Sequence, residues 1–307
     1  MTRVAGIDCG TNSIRLLIAD PATCGVTDVV REMRIVRLGQ GVDRTGRIAD
    51  DALERTRVAL ADYAATIAGH GAERVRMVAT SATRDAVNRA DLVAMVRATV
   101  GVDPEVITGA QEAELSFTGA LSGLPGLAGP LLVADIGGGS TELVLGGTAT
   151  GAGLRSHSMD VGCVRMTERH LHDDPPTQAQ SQATVQDLRA AIAVAAADVP
   201  LDTGATLVGV SGTVTTLAAI VLGLEHYDAA AIHGSVLSAE QIGEVTDRLL
   251  RMTHSERAAL PVMHPGRVDV IGGGALVLRT LVEVIGTGEV VVSEHDILDG
   301  IVLSLLG

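Results

Sequence analysis

A chain of 307 residues, 47% of them hydrophobic and with a mean hydropathy of +0.34, has length for two domains and ample apolar material for their cores, which argues against disorder. Its formal net charge of −14 argues against a broad basic surface for DNA. All 23 basic residues are Arg, so a Walker P-loop, Schiff-base chemistry and pyridoxal chemistry, which each need a Lys, are excluded.

In chain order the first half reads β-β-β-α-β-α-β-α. An apolar run from Val4 to Asp8 meets Gly10-Thr11-Asn12-Ser13, and a second strand covers Ile14 to Ala19. Turn signals at Asp20-Pro21 and Cys24-Gly25 precede a long third strand, Val26 to Leu38, which carries Arg31, Arg34 and Arg37. Alternation puts Arg31 and Arg37 on one face and Arg34 on the other, either as a basic strip for an anionic chain or as a solvated strand face. A Gly-rich loop, Gly39 to Gly46, leads to a helix over Asp50 to Ala68, with Leu53, Leu60, Tyr63, Ala64 and Ile67 on one side. A strand at Arg74 to Ala79, a helix through Leu92 and Val96, a strand at Glu105 to Thr108 and a helix holding Glu112 and Glu114 complete this half.

Pro125-Gly126 and Gly129-Pro130 mark a boundary, dividing the chain into domains 1–125 and 126–307. Leu131 to Ile136 is a strand, followed by Gly137-Gly138-Gly139-Ser140, strands at Thr141 to Leu145 and Leu154 to Met159, and helices at Val164 to Leu171 and Gln178 to Ala197. Thr206 to Val210 is a strand from which Ser211-Gly212-Thr213 opens a helix, and Ser238-Ala239-Glu240-Gln241 is a capping box. Val268 to Ile271 reads as a strand meeting Gly272-Gly273-Gly274, and Val290 to Val292 as the last strand. The last helix, Asp296 to Leu306, is expected to pack back near an interdomain hinge.

The halves share a repeat: residues 6–17 align with residues 133–144, matching Asp8 with Asp135, Gly10 with Gly137 and Ser13 with Ser140. Each match lies at a strand-turn-strand. A Gly-rich turn can aim several backbone N–H groups at an anion and lets a phosphate approach closely. Asn12, Ser13 and Ser140 add side-chain donors. Asp8 and Asp135, at the strand ends, offer hard oxygen ligands of the kind Mg²⁺ prefers. The three Cys (Cys9, Cys24 and Cys163) are odd in number, without a CxxC, as expected of reduced thiols in the cytoplasm. No signal-peptide pattern opens the chain and no apolar run approaches the ~20 residues of a membrane span.

The motifs GIDCGTNSIRLLI at 6–18, TSATRDA at 80–86, TGAQEAEL at 108–115, LVADIGGGSTEL at 132–143, VGCVRMTE at 161–168 and GVSGTVTTLA at 209–218 resemble the exopolyphosphatase / guanosine pentaphosphate phosphatase family. The resemblance covers essentially the whole chain and is to the short form of that family, without a C-terminal helical extension. It implies an α/β fold of two ribonuclease H-like domains of the actin/sugar kinase/Hsp70 type, with a hinged catalytic cleft between them. It also implies a Mg²⁺-dependent hydrolase of phosphoanhydrides, with Mn²⁺ as a substitute. Carried over by motif position, Glu112, Glu142 and Arg84 become catalytic, with Arg84 clamping phosphate. Gly10, Thr11, Asn12, Ser13, Gly137, Gly138, Gly139, Ser140, Ser211, Gly212 and Thr213 become phosphate-binding. Asp135, Glu142 and Asp8 become metal ligands.

Plainer readings stand beside these. Glu142 could be a solvated strand residue, Arg84 a surface residue at a helix start, and Glu114, two residues from Glu112, faces elsewhere. His170 and His172 beside Asp173 and Asp174 read as a solvated loop, and Gly272-Gly273-Gly274 as close helix packing. The expected activity is an exopolyphosphatase that favours short chains. The alternatives are a guanosine pentaphosphate phosphohydrolase and a nucleotide-binding ATPase or kinase of the same superfamily. A homodimer is expected, and neither DNA nor a membrane is expected as a partner.

Overall fold

In the computed structural model, which describes residues 2–23, 25–124, 126–127, 129–147 and 153–306, the chain divides into two units. Cys24 and Pro125, read above as a turn and a boundary, lie outside the described residues. The first unit comprises Met1–Ser122 and Ile297–Gly307, and the second Gly123–Asp296. The last helix, Ile297–Ser304, is thus built into the first unit.

The first unit is made on Val4–Cys9 (β1), Ser13–Pro21 (β2), Val26–Ile35 (β3), Arg74–Ala79 (β4) and Glu105–Val106 (β5), in the sheet order β3-β2-β1-β4-β5. β1, β2 and β3 are antiparallel neighbours, whereas β4 and β5 run parallel to β1. β1 is buried along its whole length, because helices cover both faces of the sheet. Ile7, Ile14, Leu16 and Met77 pack on Leu60 and Tyr63 of the helix Asp50–His70. On the other face Val4, Leu17 and Ala19 pack on Leu298 and Val302 of the last helix. Gly6 permits that contact, since a Cβ there would lie 2.8 Å from Val302 Cγ2.

The second unit repeats the plan with Leu131–Ile136 (β6), Thr141–Gly146 (β7), Arg155–Met159 (β8), Thr206–Val210 (β9), Val236–Ser238 (β10) and Glu289–Val292 (β11). Its order is β10-β11-β9-β6-β7-β8, which reproduces the first sheet with one antiparallel edge strand added. Strand order and direction are ribonuclease H-like in both units. The repeat reaches the register: Asp8 stands opposite Arg15, and Asp135 opposite Glu142.

Three differences from the sequence reading have local causes. The third strand stops at Ile35, and the backbone then turns through Arg37, a non-glycine residue at φ 51°. The short edge strand β10 had no period long enough to be read. The strand expected at Val268 to Ile271 does not exist: Pro265–Arg267 is a 3₁₀ turn, and Ile271 begins a helix running to Ile285. Gly272-Gly273-Gly274 therefore lie inside that helix. Added Cβ atoms at Gly273 and Gly274 would sit 2.5 Å from the Thr167 and Thr213 hydroxyls, so close packing is their structural task. The capping box at Ser238 forms as read, with Gln241 N–H donating to the Ser238 hydroxyl.

Candidate active site

The two glycine turns are built alike. Gly10 N–H donates to the Ser13 carbonyl at 3.0 Å, and Gly137 N–H to the Ser140 carbonyl at 3.0 Å, so each hairpin closes over four residues. Each turn is then held by its carbonyls. Thr11 C=O accepts from Gly39 N–H (2.8 Å), and Asn12 C=O from the N–H groups of Val36 (3.0 Å) and Arg37 (2.8 Å). In the second unit Gly137 C=O accepts from Cys163 N–H (2.9 Å), and Gly138 C=O from the N–H groups of Val164 (2.9 Å) and Arg165 (3.2 Å). Gly139 C=O accepts from Arg165 Nε at 2.7 Å. In a planar trans peptide the N–H of the next residue points opposite to the carbonyl. The N–H groups of Asn12 and Ser13, and those of Gly138, Gly139 and Ser140, are therefore turned away from these anchors, as an anion cradle requires. Gly162 makes the second anchor possible, because a Cβ there would stand 2.5 Å from the Gly138 carbonyl.

The turns differ in what flanks them. Asp8 is 3% exposed, and its Oδ2 accepts from Arg15 Nη2 (2.6 Å) and Nε (3.0 Å), so a cation already faces it across the hairpin. The sequence reading placed Asp8 among the metal ligands and did not anticipate this pairing. In the second unit a carboxylate takes Arg15's place. Asp135 and Glu142, 5% and 1% exposed, face each other across β6 and β7. Such burial removes the reading of Glu142 as a solvated strand residue. Asp135 Oδ1 accepts from Ser211 Oγ–H at 2.6 Å, and Glu142 Oε1 from Ser158 Oγ–H at 2.7 Å. Two buried carboxylates on adjacent strands repel each other unless a cation or proton joins them. As a donor set they fit Mg²⁺, which takes one or two carboxylates and completes its shell with water and phosphate oxygens. Among the described residues no three His, Cys, Asp or Glu side chains form a group able to hold a metal by themselves.

Arg84 and Glu112 come together within the first unit. Arg84, in the short helix Ser81–Asp85 after β4, donates from Nη1 to Glu112 Oε2 and to the Ile107 carbonyl, both at 3.1 Å. Glu112 is 8% exposed in the first turn of the helix Gly109–Ser122, while Glu114 is exposed. Arg84 is thus not a loose surface residue.

Other predicted groups are turned inward. The Thr11 hydroxyl is bonded to Ser81 Oγ at 2.8 Å, with both residues buried. Ser211, expected on phosphate, instead holds Asp135, from a backbone φ of 76° that non-glycine residues rarely adopt. Arg267 was missed by sequence reasoning. Its guanidinium lies so close over Gly212 that a Cβ there would be 2.2 Å from Nη2, and Nη1 donates to Thr216 Oγ1 at 2.9 Å. Arg267 brings a cation to the turn Ser211-Gly212-Thr213. Ser158 was missed as well.

Arg31 is drawn to Asp299 (Nη2 to Oδ1, 2.5 Å) and Asp28 (2.7 Å), while Arg34 pairs with Asp62 and lies 5.4 Å from the Tyr63 ring centroid. The two lie on opposite faces, as alternation implied, and both are neutralised. His170 Nε2 lies 3.0 Å from Asp187. Cys9 and Cys163 are free, buried thiols. Burial pushes both up, Cys163 to about 11 against the opposing pull of the Thr213 hydroxyl and Arg267.

Residues 17–307 match the Ppx/GppA phosphatase family. The chain belongs to the Ppx/GppA phosphatase family. It is 54% identical over 320 residues to exopolyphosphatase 2 of Mycobacterium tuberculosis, a match covering 100% of this chain and 99% of that protein. The crystal structure of an exopolyphosphatase-like protein has a TM-score of 0.96 and 46% identity, covering 100% of this chain and 99% of the other. That of an Aquifex aeolicus family member has a TM-score of 0.81 and 32% identity, covering 99% and 97%. The protein is a phosphoanhydride hydrolase, as the family match and the exopolyphosphatase relative indicate.

Proposed function

We propose that the protein is a Mg²⁺-dependent exopolyphosphatase that removes the terminal phosphate of inorganic polyphosphate. The observation that carries this reading is the buried pair Asp135–Glu142 beside a turn whose N–H groups form an anion cradle. The name of the Mycobacterium tuberculosis relative supports polyphosphate as substrate. Asp135 and Glu142 are the residues that would hold Mg²⁺, which when bound would supply positive charge to the phosphate. In the second unit the turn N–H groups bind and orient phosphoryl oxygens and Glu142 orients the attacking water and receives its proton; in the first unit the pair Arg84–Glu112 keeps the phosphate-clamp and carboxylate roles that the family resemblance gives it. Phosphoryl transfer depends mainly on such positioning and charge stabilisation. Short chains are the favoured substrate in this reading, because the Arg31–Arg34 strand is neutralised by its own carboxylates and offers no long cationic track.

The test is a panel: polyphosphates of several lengths, guanosine pentaphosphate and ATP, each with Mg²⁺, followed by phosphate release. Fastest turnover on short polyphosphate, lost in Glu142→Ala, is the expected result. Preference for guanosine pentaphosphate would replace the substrate and keep the chemistry. Tight ATP binding without hydrolysis of either compound would overturn the enzymatic reading.

A further inference from the structure

The sheet order β9-β6-β7-β8 lines up four polar side chains, of which only Asp135 and Glu142 share a sequence motif. Asp135 on β6, Glu142 on β7 and Ser158 on β8 stand directly opposite one another in successive strand pairs, so they share one face of the sheet. Ser211 follows Val210, the residue of β9 paired with Asp135. Each carboxylate takes a hydroxyl from its outer side: Asp135 from Ser211 at 2.6 Å and Glu142 from Ser158 at 2.7 Å.

We propose that Ser158 is a positioning residue for the hydrolysis: its hydroxyl pins Oε1 of Glu142 and so fixes the rotamer in which Glu142 meets water and cation. The inference rests on the reading above, in which Glu142 does that work. Three features of the structure argue that the bond is more than packing. Glu142 is 1% exposed, so its carboxylate depends on donors that the fold supplies. A hydroxyl donor favours the charged carboxylate, the form that like-charge repulsion from Asp135 opposes. Ser158 is only half-buried and supplies no apolar surface to the core, so its removal deletes a hydrogen bond and little else.

The row also accounts for the strained backbone at Ser211. At the end of β9, the backbone at φ 76° carries its hydroxyl onto Asp135. Ser158 needs no such strain because it lies in register on the neighbouring strand. The two serines thus brace the carboxylate pair from both sides, one by register and one by a bent backbone.

The experiment compares full-length wild type, Ser158→Ala, Ser158→Thr and Glu142→Gln in steady-state hydrolysis of a short polyphosphate at saturating Mg²⁺, with thermal unfolding of each. Ser158→Ala is expected to lower kcat by about 10- to 100-fold with KM within about twofold. Its unfolding temperature should stay within about 2 °C, and Ser158→Thr, which keeps the hydroxyl, should recover most of kcat. Ser158→Ala with wild-type kcat beside an inactive Glu142→Gln overturns the proposal alone. Equal losses in the Ala and Thr variants with a lowered unfolding temperature also overturn it, by making the residue structural. An active Glu142→Gln overturns the reading beneath it, and the proposal with it.

Discussion

Glu142→Gln should destroy activity while making the metal-free protein more stable. Asp135 and Glu142 are 5% and 1% exposed and directly opposed across an antiparallel pair, where Cβ atoms lie about 5 Å apart. At an effective dielectric of about 20, two like charges at about 5 Å repel by about 3 kcal/mol. The Gln amide keeps the side-chain volume and an oxygen acceptor for Ser158, but a neutral acceptor forfeits about 1 kcal/mol relative to a charged one. Before the other contacts of the two carboxylates are counted, the gain is at most about 2 kcal/mol, which for units of this size raises the unfolding temperature by at most about 4–8 °C. Unfolding is followed by circular dichroism at pH 8 in EDTA, and phosphate release is measured on the same preparations. Activity should fall by about 10²- to 10⁴-fold, as expected for loss of a positioned carboxylate. Mg²⁺ should stabilise the wild type more than the variant, narrowing or reversing the gap. A lower unfolding temperature for the variant in EDTA would refute the argument, because it would mean that the two carboxylates do not repel in the folded protein.

Arg84→Met removes the Arg84–Glu112 ion pair and should cut phosphate release by about 10- to 100-fold, the loss of a charge-assisted hydrogen bond, with a lower unfolding temperature as well. Gly162→Ala forces a Cβ to 2.5 Å from the Gly138 carbonyl and should displace the second turn. A stability loss of about 1–3 kcal/mol together with a collapse of kcat/KM is expected, and unchanged kinetics would contradict the anchored-turn geometry. Arg31→Ala removes an ion pair to Asp299, which is wholly buried, so it should destabilise by about 1–2 kcal/mol while leaving turnover of short chains unchanged. A raised KM for polyphosphate would instead restore the basic-strip reading. Cys9 and Cys163 carry thiols held above the ordinary range by burial, Cys163 at about 11. The thiolate forms only as pH rises, so at pH 7.5 peptide mapping after iodoacetamide treatment should find both unlabelled in the native protein and labelled after denaturation.

The repeat was legible because its signals are local. Asp-x-Gly-x-x-Ser specifies a strand, a four-residue turn and a returning strand. Once Gly10 bonds Ser13, the register puts the residue seven beyond each Asp opposite it. Arg15 and Glu142 stand at those places, a cation in one half and a carboxylate in the other, and it took the Asp8–Arg15 contact of the structure to show that this separates the two loops by charge. Tyr63, Leu60 and Ile67 were recognisable as a buried helix face for the same reason, a period that matches 3.6 residues. The strand assigned to Val268 to Ile271 failed where locality misleads. A short apolar run before three glycines fits a strand and turn, but the segment is helical, and Gly273 and Gly274 are glycine because Thr167 and Thr213 leave no room for a Cβ. Helix-interior Gly costs about 1 kcal/mol per residue, a penalty that only the tertiary contact offsets.

By itself, the sequence determined the two hairpins and their Gly turns, because turn geometry is settled within about a dozen neighbouring residues. Tertiary structure alone decided which hydroxyl or guanidinium each of these groups meets. Ser211 on Asp135, Ser158 on Glu142, Arg84 on Glu112 and Arg267 over Gly212 join elements 16 to 76 residues apart wherever the hydrogen bond is between side chains, and sheet order rather than spacing brings them together. The anchoring of the second turn by Cys163, Val164 and Arg165 is of the same kind. A buried polar group must find a partner, but its sequence does not say which one; packing chooses among those the fold carries within reach.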